Sequence, residues 1–360
     1  MKIKFLLVFL FFAGSSLAQQ NKAKNEIIIL MDGYRWNELF HGADSNLLFS
    51  QKYNTQDSLW RMQKYWASNE KTRREKLMPF VWQHIAKKGQ IYGNRDVGNL
   101  VNVKNKYWFS EPGRSETFCG YYDSLINSND KINNPNENVL EFINKQKDYQ
   151  GKVVTFSAWD VVAWILNRDR NNMLVNIYGE DVKAANLTPL QEQANAMQHY
   201  VEDIFGQGER PDANTFEMAK AYVEANHPRV LYIDFGDNDE FAHAGKYDSY
   251  LDATFKIDAM ISDLWNYVQK DAFYKDQTSI LIFPDHGRGY GDEWTSHGSK
   301  IAHANETYLL AMGPDIPALG EVKTQEQIYQ DQFAQTIANL LGFHFTANHP
   351  VGQAIKSVMR

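Results

Sequence analysis

The sequence predicts an α/β fold built on a doubly wound, mostly parallel sheet flanked by helices. Three observations carry that expectation. Short apolar runs of strand length recur along the chain, helix-patterned segments lie between them, and three of the runs end in aspartate. Runs that are apolar on both faces suit strands covered by helices on each side. Strands alternating with helices suit crossover units in one sheet.

Taken in order, the first stretch, "MKIKFLLVFLFFAGSSLAQQ", reads as a secretory signal peptide over residues 1–18. Lys2 and Lys4 form its basic region, Phe5 to Phe12 its apolar region, and "SLA" ending at Ala18 its cleavage site. The apolar run is shorter than the ~20 residues a bilayer span needs. No later stretch is long and apolar enough to span, so the expectation is an exported chain with no stable membrane insertion after cleavage. Residues 19–360 then form a single domain.

The predicted strands are "EIIILMDG" (26–33), "GKVVTFSAWD" (151–160), "PRVLYIDFGDND" (228–239), "TSILIFPDHG" (278–287) and "ETYLLAMGPD" (306–315). Helical patterning covers 76–88, 137–147 and 248–270. The last places Leu251, Phe255, Ile257, Met260, Ile261 and Leu264 near one face. Residues 324–345 read as a closing helix ended by Gly342. The Asn-, Gln- and Glu-rich segment 165–226 reads either as a helical insertion capping the site or as two more crossover helices. In "SEPGRSETFCGYYD" (110–123), Pro112-Gly113 signals a turn, and a short helix beginning at Ser115 has Glu116 in its first turn.

Composition narrows the function. The chain is 43% hydrophobic, enough for a sizeable core, and its net charge of −7 argues against a broad nucleic-acid footprint. The single cysteine, Cys119, excludes an internal disulfide and a cysteine-based zinc site. It reads as a small buried residue. Oligomeric state is not legible.

Chemistry concentrates where the runs end. The first ends at Asp32, the third runs into Asp237 and Asp239, and the fourth ends at Asp285. In open α/β sheets, ligands bind beyond the carboxyl ends of the strands, so distant acids become neighbours there. Asp239 and His243 are four apart, which puts both on one face of a helical turn. Asp285 is followed directly by His286, and His297 comes shortly after. His243, His286, His297 and His303 place four of the ten histidines in one short window, and that clustering favours a shared role. His303 competes with His297, whose polar, glycine-containing "SHG" setting suits a reaching ligand. His41, His84, His199, His227, His344 and His349 read as structural. Three carboxylates and three imidazoles suffice for two divalent ions, Zn²⁺ first and Mn²⁺ second, with open positions for substrate. A hydroxyl at a helix N-terminus beside such ions can act as a nucleophile. From spacing alone Ser115 reads first as an N-capping serine, and Thr117 is the other hydroxyl.

Together, "IIILMDG", "PGRSE", "DEFAHAG", "DHGRG" and "SHG" resemble the alkaline-phosphatase superfamily, which includes nucleotide pyrophosphatase/phosphodiesterases, cofactor-independent phosphoglycerate mutases and sulfatases. The pieces span almost the whole mature chain in that family's order. The resemblance implies one metal on Asp239, His243 and His297, and another on Asp32, Asp285 and His286. "GRSE" is similar to the mutase branch's serine motif, which implies Ser115 as the phosphorylated nucleophile. The phosphodiesterase motif laid over the same stretch falls on Glu116, and Thr117 remains second choice. Asn134 or Asn136, about twenty residues on, would contact a phosphoryl oxygen, and Arg114 or Arg288 could do the same. There is no "C-x-P-x-R" stretch, which disfavours formylglycine-type sulfatase chemistry.

The expected function is therefore that of an exported two-metal phosphoesterase acting through a phosphoseryl intermediate on a small-molecule or glycan-linked phosphate ester. A phosphodiesterase or phosphotransferase on the same scaffold, and a non-catalytic protein that retained its metal site, are the alternatives.

Overall fold

The computed structural model describes residues 22–206 and 208–359, so the expected signal peptide lies outside the described residues. Eleven strands form two sheets. They are β1 (Asn25–Met31), β2 (Gln90–Tyr92), β3 (Asn99–Asn102), β4 (Val153–Ser157), β5 (Leu174–Asn176), β6 (Val230–Phe235), β7 (Thr278–Phe283), β8 (Glu306–Thr307), β9 (Leu309–Met312), β10 (Gly320–Glu321) and β11 (Glu326–Tyr329). The main sheet runs β10-β2-β9-β7-β1-β6-β4-β5, and a small one runs β11-β3-β8. β5, β4, β6, β1 and β7 are parallel in sequence across the main sheet.

Alternation along β1 explains why its residues are apolar on both faces. Ile27, Ile29 and Met31 enter one core with Leu231, Ile233, Ile280 and Ile282. Ile28 and Leu30 enter the opposite core with Tyr232, Leu281 and Phe283. The 22-residue helix Tyr247–Val268 seals the first through Leu251, Ile257, Ile261 and Leu264. The helix Phe333–Leu340, with Phe118 and Val139–Ile143 residues, seals the second. Each strand residue is thus removed from water whichever way it points.

The predicted strand 306–315 and the predicted closing helix differ from what forms. The run 306–315 divides into β8 and β9, and β9 lies antiparallel to both β7 and β2. A parallel return needs a crossover, usually helical. Residues 284–305 supply only a short 3-10 turn at Gly291–Thr295, so the chain doubles back. The closing helix is shorter than 324–345, because Glu326–Tyr329 pairs with β3 as a strand. Its Ile328 is buried while Gln327 and Tyr329 face out, which is strand alternation.

The segment 165–226 is tied into the sheet. It supplies β5 at the edge, a helix Pro189–Gln198 started by a Thr188 capping box, and a 15-residue helix Asp212–Asn226 that packs on β4 and β6 and leads into β6. Between the two helices, residues 208–210 lie antiparallel beside 158–160. The Arg210 amide donates to the Ala158 carbonyl at 3.1 Å and the Asp160 amide to the Gly208 carbonyl at 2.9 Å.

Candidate active site

β6, β1 and β7 are neighbours and point the same way, so their carboxyl ends set three segments side by side. Asp32 directly follows β1. Gly236 turns β6 into the helix Asp237–His243. Pro284 leads from β7 to Asp285 and His286. One turn of helix puts Asp239 and His243 together, with Nε2 2.9 Å from Oδ2. His297 closes the group: its Nε2 lies 2.9 Å from His243 Nε2 and 3.8 Å from Asp239 Oδ1, and its ring stacks on His286. His286 Nε2 is 3.2 Å from Asp32 Oδ1, 3.6 Å from Asp285 Oδ2 and 3.9 Å from Asp239 Oδ1.

Ligand-type atoms therefore converge in two overlapping sets, Asp239–His286–His297 and Asp32–Asp285–His286, with His286 common to both. His243 adjoins the first. The donor chemistry fits divalent ions of the zinc kind. Two further observations agree. Asp32 Oδ1 is buried and faces His286 Nε2 at 3.2 Å without a well-aligned hydrogen bond. His243 and His297 turn Nε2 atoms toward each other, an arrangement that needs a shared proton or a cation between them. His303 lies elsewhere, stacked on Tyr290 and 3.0 Å from Glu306.

The hydroxyl in this group is Ser110, with Oγ 3.4 Å from His286 Nε2. Ser115 is not brought to it. The helix begins at Ser110, five residues before the predicted start, and runs to Cys119. At about 1.5 Å rise per residue, Ser115 sits roughly 7.5 Å deeper and on another face. It is buried there, and its Oγ accepts from Asn134 Nδ2 at 2.8 Å. Thr117 is also buried, and its hydroxyl has no partner. Pro112-Gly113 does not turn the chain because it falls in the helix's first turn, where a missing N–H costs little. Gly113 also permits close packing. A Cβ there would meet the Asp285 carbonyl oxygen at 2.4 Å. Glycine is required at position 33 as well, where φ is +57° and a Cβ would meet Asp239 Oδ1 at 2.4 Å.

Neither asparagine expected to touch substrate is in the group. Asn134 supports Ser115 and Cys119, while Asn136 donates to Asp123. Both arginines are near, but they hold carboxylates. Arg114 is fully buried and grips Asp234 through Nε and Nη2 at 2.8 and 2.9 Å. It also reaches Asp32 at 2.8 Å and Asp285 through its remaining nitrogen. Arg288 binds Asp239, donates to the Trp294 carbonyl at 2.8 Å and approaches His243 Nδ1 at 3.3 Å. Asp234, inside β6, was not singled out by sequence. Its only signal is its place in an apolar run, where a buried acid needs a partner.

These partners set the protonation of the metal-free group. Burial pushes Asp32 up, but Arg114 and His286 outweigh it and hold the carboxyl below its usual range. Burial acts on Asp239 likewise, and Arg288 and His297 bring it well below. Burial prevails at Asp285, pushed up to about 7 despite Arg114. His286 resists burial because Asp285 and Asp32 favour its charged form, and it rises to about 9. His297, buried and facing that cation, falls to about 3. The opposed histidines give one donor and one acceptor in stacked rings.

No family model matches the chain, and no curated protein matches it. Solved structures do. An alkaline phosphatase, PafA, superposes with a TM-score of 0.63 at 11% identity, covering 95% of this chain and 99% of that one. The lipoteichoic acid synthase LtaP from Listeria monocytogenes gives 0.56 at 9% identity over 89% and 72%. The phosphonate monoester hydrolase of Agrobacterium radiobacter gives 0.55 at 11% identity over 93% and 77%. The likeness spans nearly the whole described chain and establishes an alkaline-phosphatase-like α/β fold.

Proposed function

We propose that the chain hydrolyses phosphate esters at a centre for two divalent metal ions, with Ser110 as the attacking hydroxyl. One observation carries this reading: a helix-terminal serine hydroxyl stands within 3.4 Å of an imidazole that belongs to both converging ligand sets. Asp239, His243 and His297 would hold one ion, and Asp32, Asp285 and His286, with Ser110, the other. Ions bound there would lower the serine's pKa and offset charge on the phosphoryl and leaving oxygens.

The chain's own residues do the rest. Ser110 Oγ attacks phosphorus in line, the alcohol departs, and water then cleaves the phosphoseryl group and restores the serine. The Ser110–Cys119 helix fixes the hydroxyl by packing Gly113 on the Asp285 backbone. Arg114 and Arg288 keep Asp32 and Asp239 ionised, and Arg114 also holds Asp285, whose second oxygen accepts from the Gly33 and His286 amides. Neither guanidinium is free for substrate, so binding of the phosphoryl group falls to the metal positions. Small-molecule or glycan-linked phosphate esters are the proposed substrates. The sequence at 1–18 supports an exported protein, and no helix of the described residues is long and apolar enough to cross a membrane.

The test compares Ser110→Ala with Ser115→Ala on an aryl phosphate, with metal content measured in both. Ser110→Ala should lose about a thousandfold or more in kcat with its metal retained, equivalent to about 4 kcal/mol of barrier. Ser115→Ala should stay within about tenfold of the parent. Wild-type turnover by metal-replete Ser110→Ala would refute the assignment. Parallel rates on a monoester, a diester and a sulfate ester define the ester class.

A further inference from the structure

Among the described residues Arg210 and Arg61 are the two buried arginines with no carboxylate partner. Arg35 pairs with Glu38, Arg114 with three aspartates and Arg288 with Asp239. Arg210 is 3% exposed, yet among the described residues no carboxylate comes within ion-pair distance of it. Its nitrogens meet only neutral acceptors: Thr215 Oγ1 at 3.1 Å, Asn176 Oδ1 at 2.8 Å, Gln198 Oε1 at 3.4 Å and Met218 Sδ at 3.0 Å. Glu180, whose field reaches it, is held by Arg168 at 2.7 Å. A buried, uncompensated cation is costly, and burial pushes this guanidinium down to about 9.

The guanidinium lines a polar cavity of about 230 Å³. Asn214 lines the same cavity, is 3% exposed, and has an Nδ2 with no hydrogen-bond partner. Pro211, also on the wall, is the N-cap of the 15-residue helix Asp212–Asn226, whose first amide already donates to Asp237 Oδ1 at 2.9 Å. Tyr178 and the exposed Asp203 bond to each other on the wall, and His199 pairs with Asp181 at 2.9 Å. Arg210, with no carboxylate in ion-pair distance, and the orphaned amide of Asn214 therefore line one partly open cavity, whose wall also carries Asp203.

We propose that this cavity binds a small oxyanion, held by Arg210 and Asn214, at a site separate from the metal-ligand group. Orthophosphate suits it in charge and donor demand, as does the phosphate, sulfate or carboxylate group of a small molecule. Successive residues of the extended segment 208–210 face opposite ways. Glu209 lies against Gly236, at the start of the helix that carries Asp239 and His243, while Arg210 turns into the cavity. One peptide unit therefore separates the anion site from the active-site wall. The inference does not depend on the proposed reaction.

The experiment uses the full chain stripped of metal with chelator, so that the carboxylate-rich centre presents no metal ion to an anion. Orthophosphate, sulfate and acetate are titrated separately by calorimetry and by thermal unfolding. One orthophosphate site is expected, unchanged in Ser110→Ala and weakened about tenfold or more in Arg210→Gln and several-fold in Asn214→Ala. Equal binding of acetate would assign a carboxylate ligand, and preference for phosphate and sulfate a tetrahedral one. If Arg210→Gln does not fold, Asn214→Ala and Asn214→Leu decide. No binding of any of the three anions at about 10 mM, or binding unaltered by the folded cavity variants, overturns the proposal.

Discussion

At the residue scale, Arg114 and Arg288 were expected to contact substrate, and in the structure both hold carboxylates. Arg114 balances Asp234, Asp32 and Asp285 in a place where none of the four groups has water to fall back on. Removing one member of a buried ion network leaves an unpaired charge and costs about 3–5 kcal/mol. Arg114→Met should therefore destabilise the metal-free protein by about that much. Arg114→Met with Asp234→Asn should recover a good part of the loss, since the strongest unpaired charge is then gone. Chemical unfolding of the three proteins checks this, and equal stability of single and double variants would show that Asp234 is not the anchor. Such a network has no local signature in sequence. Arg114 and Asp234 are 120 residues apart, and only the fold reveals that the arginine looks inward.

At the element scale, the apolar runs were legible because burial on both sheet faces demands them, and the acids at their ends were legible because sheet topology gathers strand ends. Less could be read of the Ser110–Cys119 helix. Pro112-Gly113 normally breaks structure, and that expectation shifted the predicted start to Ser115. The proline is tolerated in the first turn, and the glycine serves packing against Asp285. Gly113→Ala places a methyl group 2.4 Å from a backbone oxygen, so the helix must withdraw from β7. Activity should fall at least about tenfold through displaced Ser110, while overall stability drops by about 1–3 kcal/mol. Kinetics and thermal unfolding together check it. An active, fully stable Gly113→Ala protein would mean that this contact does not place the serine. The reversal at β9 and the strand at 326–329 were not legible, because pairing direction depends on the connection and on a partner, β3, far away in sequence.

At the scale of the whole molecule, buried acids link stability to pH. Burial pushes Glu116 up to about 7 despite bonds from Asn105 and Lys104, and Asp258 up to about 7 despite the Phe80 and Val81 amides. Asp285 rises to about 7 as well, mainly through burial, and His286 rises to about 9 against it. All four hold protons in the folded state beyond the pH at which the unfolded chain releases them. Their stabilisation is complete below the unfolded values and is lost as pH rises through the folded ones. His297 acts oppositely, with its pKa lowered to about 3, but its effect ends once the unfolded imidazole has lost its proton, near pH 6.5. Metal-free protein should therefore lose thermal stability steadily between about pH 6.5 and 8. A melting temperature that climbs over that interval would contradict this proton balance.

In the proposed reaction Ser110, and not Ser115, carries the phosphoryl group during turnover. The sequence itself supplies the means of separating them, because Arg114 lies between the two serines and trypsin cuts after it. Metal-loaded enzyme turning over an aryl phosphate is quenched in acid, digested, and analysed by mass spectrometry for phosphopeptides. Phosphate is expected on the peptide of residues 107–114. Phosphate on the peptide of residues 115–131, or none on either from an enzyme shown to be turning over, would contradict it.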